Sequence, residues 1–146
     1  MAELFLGGKV DPATHARTGD DVRIGTDNFT THGVIVGMTG SGKTGLGVVL
    51  IEEVLAAGLP ALLIDPKGDL TNLCLAFPAL LPADFRPWID EAQATAAGLS
   101  PDDFATQQAE TWTKGLLGWG LTAQHIRGLR ARTDFTIYTP GSQSGM

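Results

Sequence analysis

A spacing of glycines, hydroxyl groups and one amine that suits phosphate chemistry occurs in eight consecutive residues. These are Gly37-Met38-Thr39-Gly40-Ser41-Gly42-Lys43-Thr44, which match the pattern G-x-x-x-x-G-K-[ST]. Glycines let the backbone wrap around an anion with successive N–H groups pointing inward. The amine reaches the β- and γ-phosphates, and the last hydroxyl ligates Mg²⁺. The octet therefore predicts a site for a nucleoside triphosphate and magnesium.

This pattern assigns a role to almost every residue of the loop. Lys43 is the candidate catalytic cation, and the Thr44 hydroxyl is the candidate magnesium ligand. The predicted nucleotide-binding residues are Gly37, Thr39, Gly40, Ser41, Gly42, Lys43, Thr44 and Gly45.

An aspartate further along the chain is a second candidate for the same site. Asp65 follows four apolar residues, 61–64, in the way that a Walker B aspartate follows its strand and holds Mg²⁺ through water. The alternative is that Asp65 caps the turn D-P-K-G-D. The sequence leaves both interpretations open.

The segments around the octet are those that a phosphate loop requires. Residues 33–36 are an apolar strand, and residues 43–57 are a helix that Gly58 and Pro60 bring to an end. Residues 61–65 are a second apolar strand without alternation. Two such strands joined by a helix form a βαβ unit, and strands buried on both faces predict a parallel sheet.

The rest of the chain predicts a short β segment, a helical insertion and a last strand. We expect residues 1–31 to form an N-terminal β-hairpin segment and loop, and 32–146 to form the front part of a P-loop domain with a helical insertion at 82–132. The individual predictions are strands at 3–9 and 21–25, a loop at 26–31, helices at 87–98, from 101 toward 115–120 and at about 122–131, and a strand at 134–139. The final residues, GSQSGM, are typical of the interior of a domain, so we expect a larger protein.

Composition narrows the class of protein. The net charge of −6 opposes a nucleic-acid surface that covers the whole chain, and the single cysteine excludes an intrachain disulfide. No signal peptide is recognisable, and no apolar run reaches the ~20 residues of a membrane helix. We therefore expect a cytoplasmic protein without a membrane segment. We expect the three tryptophans, all in the helical middle, to pack in a core or an interface, with base stacking as the alternative.

Two longer stretches carry a resemblance to a known family. "THGVIVGMTGSGKTGLGVVLIEE" and "PALLIDPKGDLTNL" resemble the HerA/FtsK group of P-loop ATPases, in particular the bacterial HerA helicase-like proteins, and "TIYTPGS" resembles their following strand. The resemblance implies a RecA-like α/β fold with a mainly parallel sheet and flanking helices. It also implies ATP and Mg²⁺ as cofactors, and ATP hydrolysis coupled to moving or unwinding DNA, usually by a homo-hexameric ring.

The resemblance also implies roles for two acidic residues. Asp65 and Asp69 fall on the acidic positions of the family's D-P-x-G-[DE] turn, which makes both candidate catalytic residues and Asp65 a candidate metal ligand. The family's later strand with its catalytic glutamate, its polarising glutamine and its arginine finger are not identifiable. Because an arginine finger alone accelerates related reactions roughly 10³–10⁵-fold, we predict that the isolated chain binds ATP weakly and hardly hydrolyses it.

Two other functions remain open at this point. One is a P-loop kinase or other phosphotransferase, although the 82–132 segment lacks the glycine-rich lid that would favour it. The other is a non-catalytic nucleotide-binding module for assembly. Asp65 and Gly68 also match the D-x-x-G motif of GTPases, but no N-K-x-D motif follows to read guanine. DNA-dependent ATP turnover would separate a motor from both alternatives.

Overall fold

The computed structural model describes residues 2–142, which divide into two compact units. The first, here called the P-loop unit, contains the chain up to Cys74 together with the chain from Arg132 onward. The second, the helical unit, contains Leu75–Ala131. Most of the terminal GSQSGM segment, residues 143–146, lies outside the described residues.

An antiparallel hairpin opens the P-loop unit. β1 (Glu3–Val10) pairs with β2 (Arg17–Gly25) over their whole length, with two register irregularities. The Asp11 carboxylate holds the connecting turn, because its Oδ1 accepts hydrogen bonds from the backbone N–H groups of Ala13 and Thr14, both at 2.8 Å. The two predicted strands are confirmed, and both extend further toward the turn than the sequence indicates.

The predicted helix after the octet is also confirmed. α1 runs from Lys43 to Ala56 and ends where Gly58 takes a φ of 79°, a left-handed conformation that glycine adopts without strain. The backbone N–H of Phe5 in β1 donates to Glu53 Oε2 of α1 at 2.7 Å. This bond ties the hairpin to the helix that follows the phosphate loop.

The three predicted strands of a parallel sheet are not strands in this structure. Within residues 2–142 the sheet is the two-stranded hairpin alone, and residues 33–36, 61–65 and 134–139 have no β-ladder. Their side chains alternate in exposure: Leu62 and Ile64 are 88% and 85% exposed, whereas Leu63 between them is 39% exposed. The prediction of buried strands is therefore wrong here. The physical reason is that a parallel strand needs a hydrogen-bonded neighbour at its edges, and β1 and β2 pair only with each other.

An open groove of about 930 Å³ lies along two of these segments. Its lining includes residues 58–66, residues 132–140, and Ile51 and Leu55 of α1. Consecutive residues of each segment line the groove, so the groove runs along the backbones of both segments.

The helical unit contains four α-helices, and the last of them ends one residue beyond Ala131. They are α2 (Pro82–Phe85), α3 (Glu91–Ala96), α4 (Pro101–Leu117) and α5 (Ala123–Arg132). The core contains Phe85, Ala105 and Ala109. Phe77 packs on it, with its ring centroid 5.0 Å from that of Phe85 in an edge-to-face arrangement. The predicted helices from 101 and at about 122–131 are confirmed.

Two other predictions for this unit are wrong. The single helix predicted over 87–98 is divided into a 3₁₀ turn, Arg86–Trp88, and α3. Asp90 causes the break, since its Oδ1 accepts from Ala92 N at 2.8 Å and starts a new helix. For the tryptophans, the prediction of a core is wrong, because Trp88, Trp112 and Trp119 are 61%, 55% and 44% exposed, while their packing in an interface stays a prediction. In the P-loop unit, the segment predicted as a loop at 26–31 also differs, since Thr26–Thr30 is a 3₁₀ helix.

Replacing Ser100 with alanine should lower the free energy of unfolding of the helical unit by about 1 kcal/mol, the usual cost of losing an N-cap. Ser100 Oγ accepts from Asp103 N at 3.1 Å at the start of α4. Urea unfolding followed by tryptophan fluorescence measures this loss, because all three tryptophans lie in the helical unit. Gln107→Ala, at an exposed mid-helix position, is the control. Equal stabilities of the two variants would contradict the cap.

No helix within residues 2–142 is both long enough and apolar enough to cross a membrane.

Candidate nucleotide site

The phosphate loop connects the 33–36 segment to α1 through two left-handed residues. Gly40 and Gly42 have φ values of 79° and 85°, which residues with a Cβ adopt only at a cost. Between them, Ser41 N donates to Met38 O at 3.2 Å and closes the turn. The glycines of the motif therefore occupy the positions where the backbone needs them.

Lys43 folds back over the loop that precedes it. Its Nζ donates a hydrogen bond to Met38 O at 2.5 Å, where Met38 is exposed and Lys43 is half-buried. This bond holds the ammonium beside the turn. The sequence does not reveal Met38 as its partner, because the bond is made by a backbone carbonyl.

The side chains of Ser41 and Lys43, in the same loop, pack against Gly37. A Cβ at this position would overlap Ser41 Oγ and would lie 3.2 Å from Lys43 Cγ. The loop therefore closes tightly enough that its first position accommodates only glycine without rearrangement. Thr44 begins the first turn of α1, and its hydroxyl has no hydrogen-bond partner within residues 2–142.

Asp65 holds together the turn that follows the 61–65 segment. Its Oδ1 accepts from Gly68 N at 2.9 Å and its Oδ2 accepts from Leu70 N at 2.8 Å. The Leu70 N–H is the main cause of a lowered Asp65 pKa, and the Gly68 N–H adds to it. The stabilisation from Asp65 is therefore fully present at neutral pH and is lost as the pH falls through its lowered, folded-state pKa.

Asp69 has a different environment in the same turn. Its Oδ2 accepts from Lys67 Nζ at 2.5 Å, and the Lys67 side chain is 80% exposed. The bond to Asp69 raises the pKa of Lys67. Lys67 is absent from the site residues predicted from the sequence. Its position two residues before Asp69, across Gly68, was the signal that could have indicated their contact.

The loop and the turn lie in the same unit but are not joined. Within the described part of the chain, no hydrogen bond or ion pair links residues 37–45 to residues 65–70. The structure thus forms the two halves of the predicted site separately.

Comparison with known proteins decides the family. The family described as "Helicase HerA, central domain" matches residues 13–108, about two thirds of the chain, including both the loop and the turn. The chain belongs to the HerA central-domain family. The resemblance predicted from the sequence is confirmed, and this membership makes the HerA-type chain a P-loop NTPase.

A curated relative gives a second, shorter match. The chain is 40% identical over 53 residues to the type 4 coupling protein DotL of Legionella pneumophila. The match covers 36% of this HerA-type chain and 7% of the length of DotL. No solved structure matches the chain.

The residues present fit a nucleotide and magnesium. A Cβ at Gly40 or at Gly42 would meet no atom within 4 Å, so the backbone of the loop is uncovered at these two positions, and the Lys43 ammonium lies beside it. The Thr44 hydroxyl and the carboxylates of Asp65 and Asp69 are oxygen donors of the kind that Mg²⁺ prefers.

Proposed function

We propose that this chain is the nucleotide-binding part of a HerA-type motor ATPase and binds Mg·ATP through residues 37–45. The glycine loop with Lys43 hydrogen-bonded to Met38 O carries this proposal, because it combines uncovered backbone at Gly40 and Gly42 with a cation beside it. Membership of the HerA family supports ATP as the ligand.

Each residue of the loop has a distinct task in this proposal. The backbone N–H groups and the N-terminus of α1 bind phosphate oxygens, and Lys43 neutralises the charge that builds up on the transferred phosphoryl group. Thr44 contributes an oxygen to the magnesium ion, with Asp65 and Asp69 in the predicted catalytic set. When bound, Mg·ATP supplies the phosphoanhydride that water cleaves.

The wider role rests on the family. We propose that the full-length protein hydrolyses ATP to move or unwind DNA, acts as a homo-oligomeric ring of six subunits, and works in the cytoplasm. The division into 1–31, 32–146 and an insertion at 82–132 is part of this proposal. The isolated chain is expected to hydrolyse ATP slowly, because no catalytic glutamate or arginine finger is identifiable in its sequence.

One observation favours a second candidate, a nucleotide-binding module that assembles subunits without turnover. Both carboxylate oxygens of Asp65 accept hydrogen bonds from the backbone of their own turn, so this aspartate serves the turn and not the loop. In that case ATP would bind but DNA would not stimulate its hydrolysis.

Equilibrium binding of Mg·ATP to the wild-type chain and to Lys43→Ala tests the proposal, with GTP as a competitor. Losing a charged hydrogen-bond donor costs about 1.5–3 kcal/mol, so we expect Lys43→Ala to bind roughly 10- to 150-fold more weakly. Lys114→Ala is a matched control, because it removes an exposed lysine of α4 in the helical unit. Failure of the wild-type chain to bind Mg·ATP would overturn the proposal.

A further inference from the structure

We infer that Glu53 is a positioning residue of the nucleotide site: its hydrogen bond to β1 holds α1 in place, so that this bond and Mg·ATP at the other end of α1 stabilise each other. The bond runs from Phe5 N to Glu53 Oε2 at 2.7 Å. The inference rests on the proposed function and goes beyond it, because it makes the N-terminal hairpin part of the support of the phosphate loop.

The helix that carries Lys43 and Thr44 has little core packing to hold it. None of the residues of α1 is buried. Helices in globular proteins are normally held by a buried apolar face. The position of α1 on the hairpin therefore depends strongly on individual contacts, and the bond from Phe5 to Glu53 is one that joins the two elements directly.

The hairpin offers α1 a well-anchored point at Phe5. Leu4, directly before it, is 1% exposed. On the opposite face of β1, the guanidinium carbon of Arg23 lies 5.2 Å from the centroid of the Phe5 ring. Side chains on both faces thus hold the backbone from which the Phe5 N–H is donated.

A bulge in β1 lies immediately after this N–H group. Phe5 is opposite Arg23 and Gly7 is opposite Val22, so Leu6 is an extra residue in β1. Gly7 has a φ of 137°, a conformation that residues with a Cβ adopt only at a cost. Bulges bend a strand and change the direction of its groups, and here the bulge coincides with the point at which β1 donates to α1.

The acceptor of this bond is one of two adjacent acidic residues, which differ in their contacts. The distance of 2.7 Å is typical of a hydrogen bond to a charged group, and Phe5 and Glu53 are both half-buried, which limits competition from water. The carboxylate of Glu52, in contrast, accepts no hydrogen bond within residues 2–142. Burial raises the pKa of Glu52, and the charge of Glu53 adds to this effect. Glu52 is therefore a matched control for Glu53.

The helix connects this bond to the phosphate loop. Lys43 and Glu53 belong to the same unbroken helix and lie about 15 Å apart along its axis, at 1.5 Å per residue. Fixing Glu53 on the hairpin therefore also fixes the direction of the N-terminus of α1, whose N–H groups are proposed to bind phosphate. Coupling between two sites is reciprocal, so bound Mg·ATP must stabilise the bond from Phe5 to Glu53 by the factor that the bond adds to ATP affinity.

Hydrogen exchange of the Phe5 amide, measured by NMR on the wild-type chain, tests this coupling. Saturating Mg·ATP should slow the exchange about fivefold, the lower end of typical couplings between sites. The amides of α4, in the helical unit, serve as the internal control and should not respond. Unchanged exchange at Phe5 in a chain that binds Mg·ATP would overturn the inference alone. A wild-type chain that binds no Mg·ATP would overturn the proposed function and the inference with it.

Titration of variants with Mg·ATP measures the same factor from the other side. Glu53→Ala should bind about fivefold more weakly, and Glu53→Gln should recover most of the affinity, because its amide oxygen can accept the same N–H. Glu52→Ala should bind as the wild-type chain does. Protected amides in α1 report that each variant is folded, and the exchange measurement on the wild-type chain does not depend on any variant. Equal affinities of Glu53→Ala and Glu52→Ala, or no recovery in Glu53→Gln, would contradict the positioning role.

Discussion

Replacing Phe85 with alanine is expected to destabilise the helical unit by about 3–5 kcal/mol, the usual cost of removing a large aromatic side chain from a core. Phe85 is 8% exposed, and the other two buried residues of this core are alanines, Ala105 and Ala109. Their methyl groups cannot fill the cavity left by a phenyl ring. The variant also loses the edge-to-face contact with Phe77.

Tryptophan fluorescence during urea unfolding measures this loss for the helical unit specifically. Leu117→Ala is the control, because this leucine is 61% exposed at the end of α4 and its truncation should change the stability by less than about 1 kcal/mol. Since small domains are stable by only about 5–15 kcal/mol, Phe85→Ala should shift the urea midpoint far below that of the control. Coincident midpoints would show that Phe85 does not support this core.

Replacing Gly37 with alanine is expected to weaken Mg·ATP binding roughly 5- to 150-fold, which corresponds to an overpacking cost of about 1–3 kcal/mol. The new Cβ would overlap Ser41 Oγ and press on Lys43 Cγ. To relieve these contacts, Ser41 Oγ must rotate and the Lys43 stem must shift, and both side chains belong to the residues proposed to bind phosphate.

Gly47→Ala provides the matched control for this glycine substitution. Gly47 lies inside α1, and a Cβ there meets nothing within 4 Å. Alanine should stabilise the helix by about 0.5–1 kcal/mol without changing ATP affinity, because a glycine inside a helix costs conformational entropy. Isothermal titration of both variants with Mg·ATP makes the comparison. Wild-type affinity in Gly37→Ala would contradict the tight closure of the loop.

Local signals in the sequence were sufficient for the longer helices. Ser100 and Pro101 indicate where α4 begins, and Gly58 indicates where α1 ends, because caps act over a few residues and need no tertiary partner. Pro87 was misleading for a related reason. A proline fits the first turn of a 3₁₀ segment as well as that of an α-helix, and Asp90 decides where the α-helix begins.

The parallel sheet could not be predicted in the same way. An apolar run such as 61–65 indicates that a segment is suited to a buried strand, but the residues that would pair with its edges lie elsewhere in a chain. In this structure residues 61–65, 33–36 and 134–139 all lack a paired neighbour and form no strand. Hydrogen bonds between distant strands, and not the composition of each run, determine whether a sheet forms.

The candidate site was predictable to the level of residue types. The octet identifies Lys43 and its glycines because their spacing reflects the geometry of a phosphate. The bond from Lys43 to Met38 O and the bonds from Gly68 N and Leu70 N to Asp65 depend on the directions of backbone carbonyl and N–H groups. Those directions are set by φ and ψ, so they become visible only in the folded chain.

The bare backbones along the open groove have a consequence for the behaviour of this polypeptide at high concentration. Segments 61–65 and 134–139 present apolar side chains and N–H and C=O groups without ladder partners, and strand edges of this kind template the addition of further strands. We therefore expect that self-association at high concentration begins at these two segments. Leu62 and Ile64 are both almost fully exposed, so a lysine at either position would place a charge where it opposes the addition of further strands.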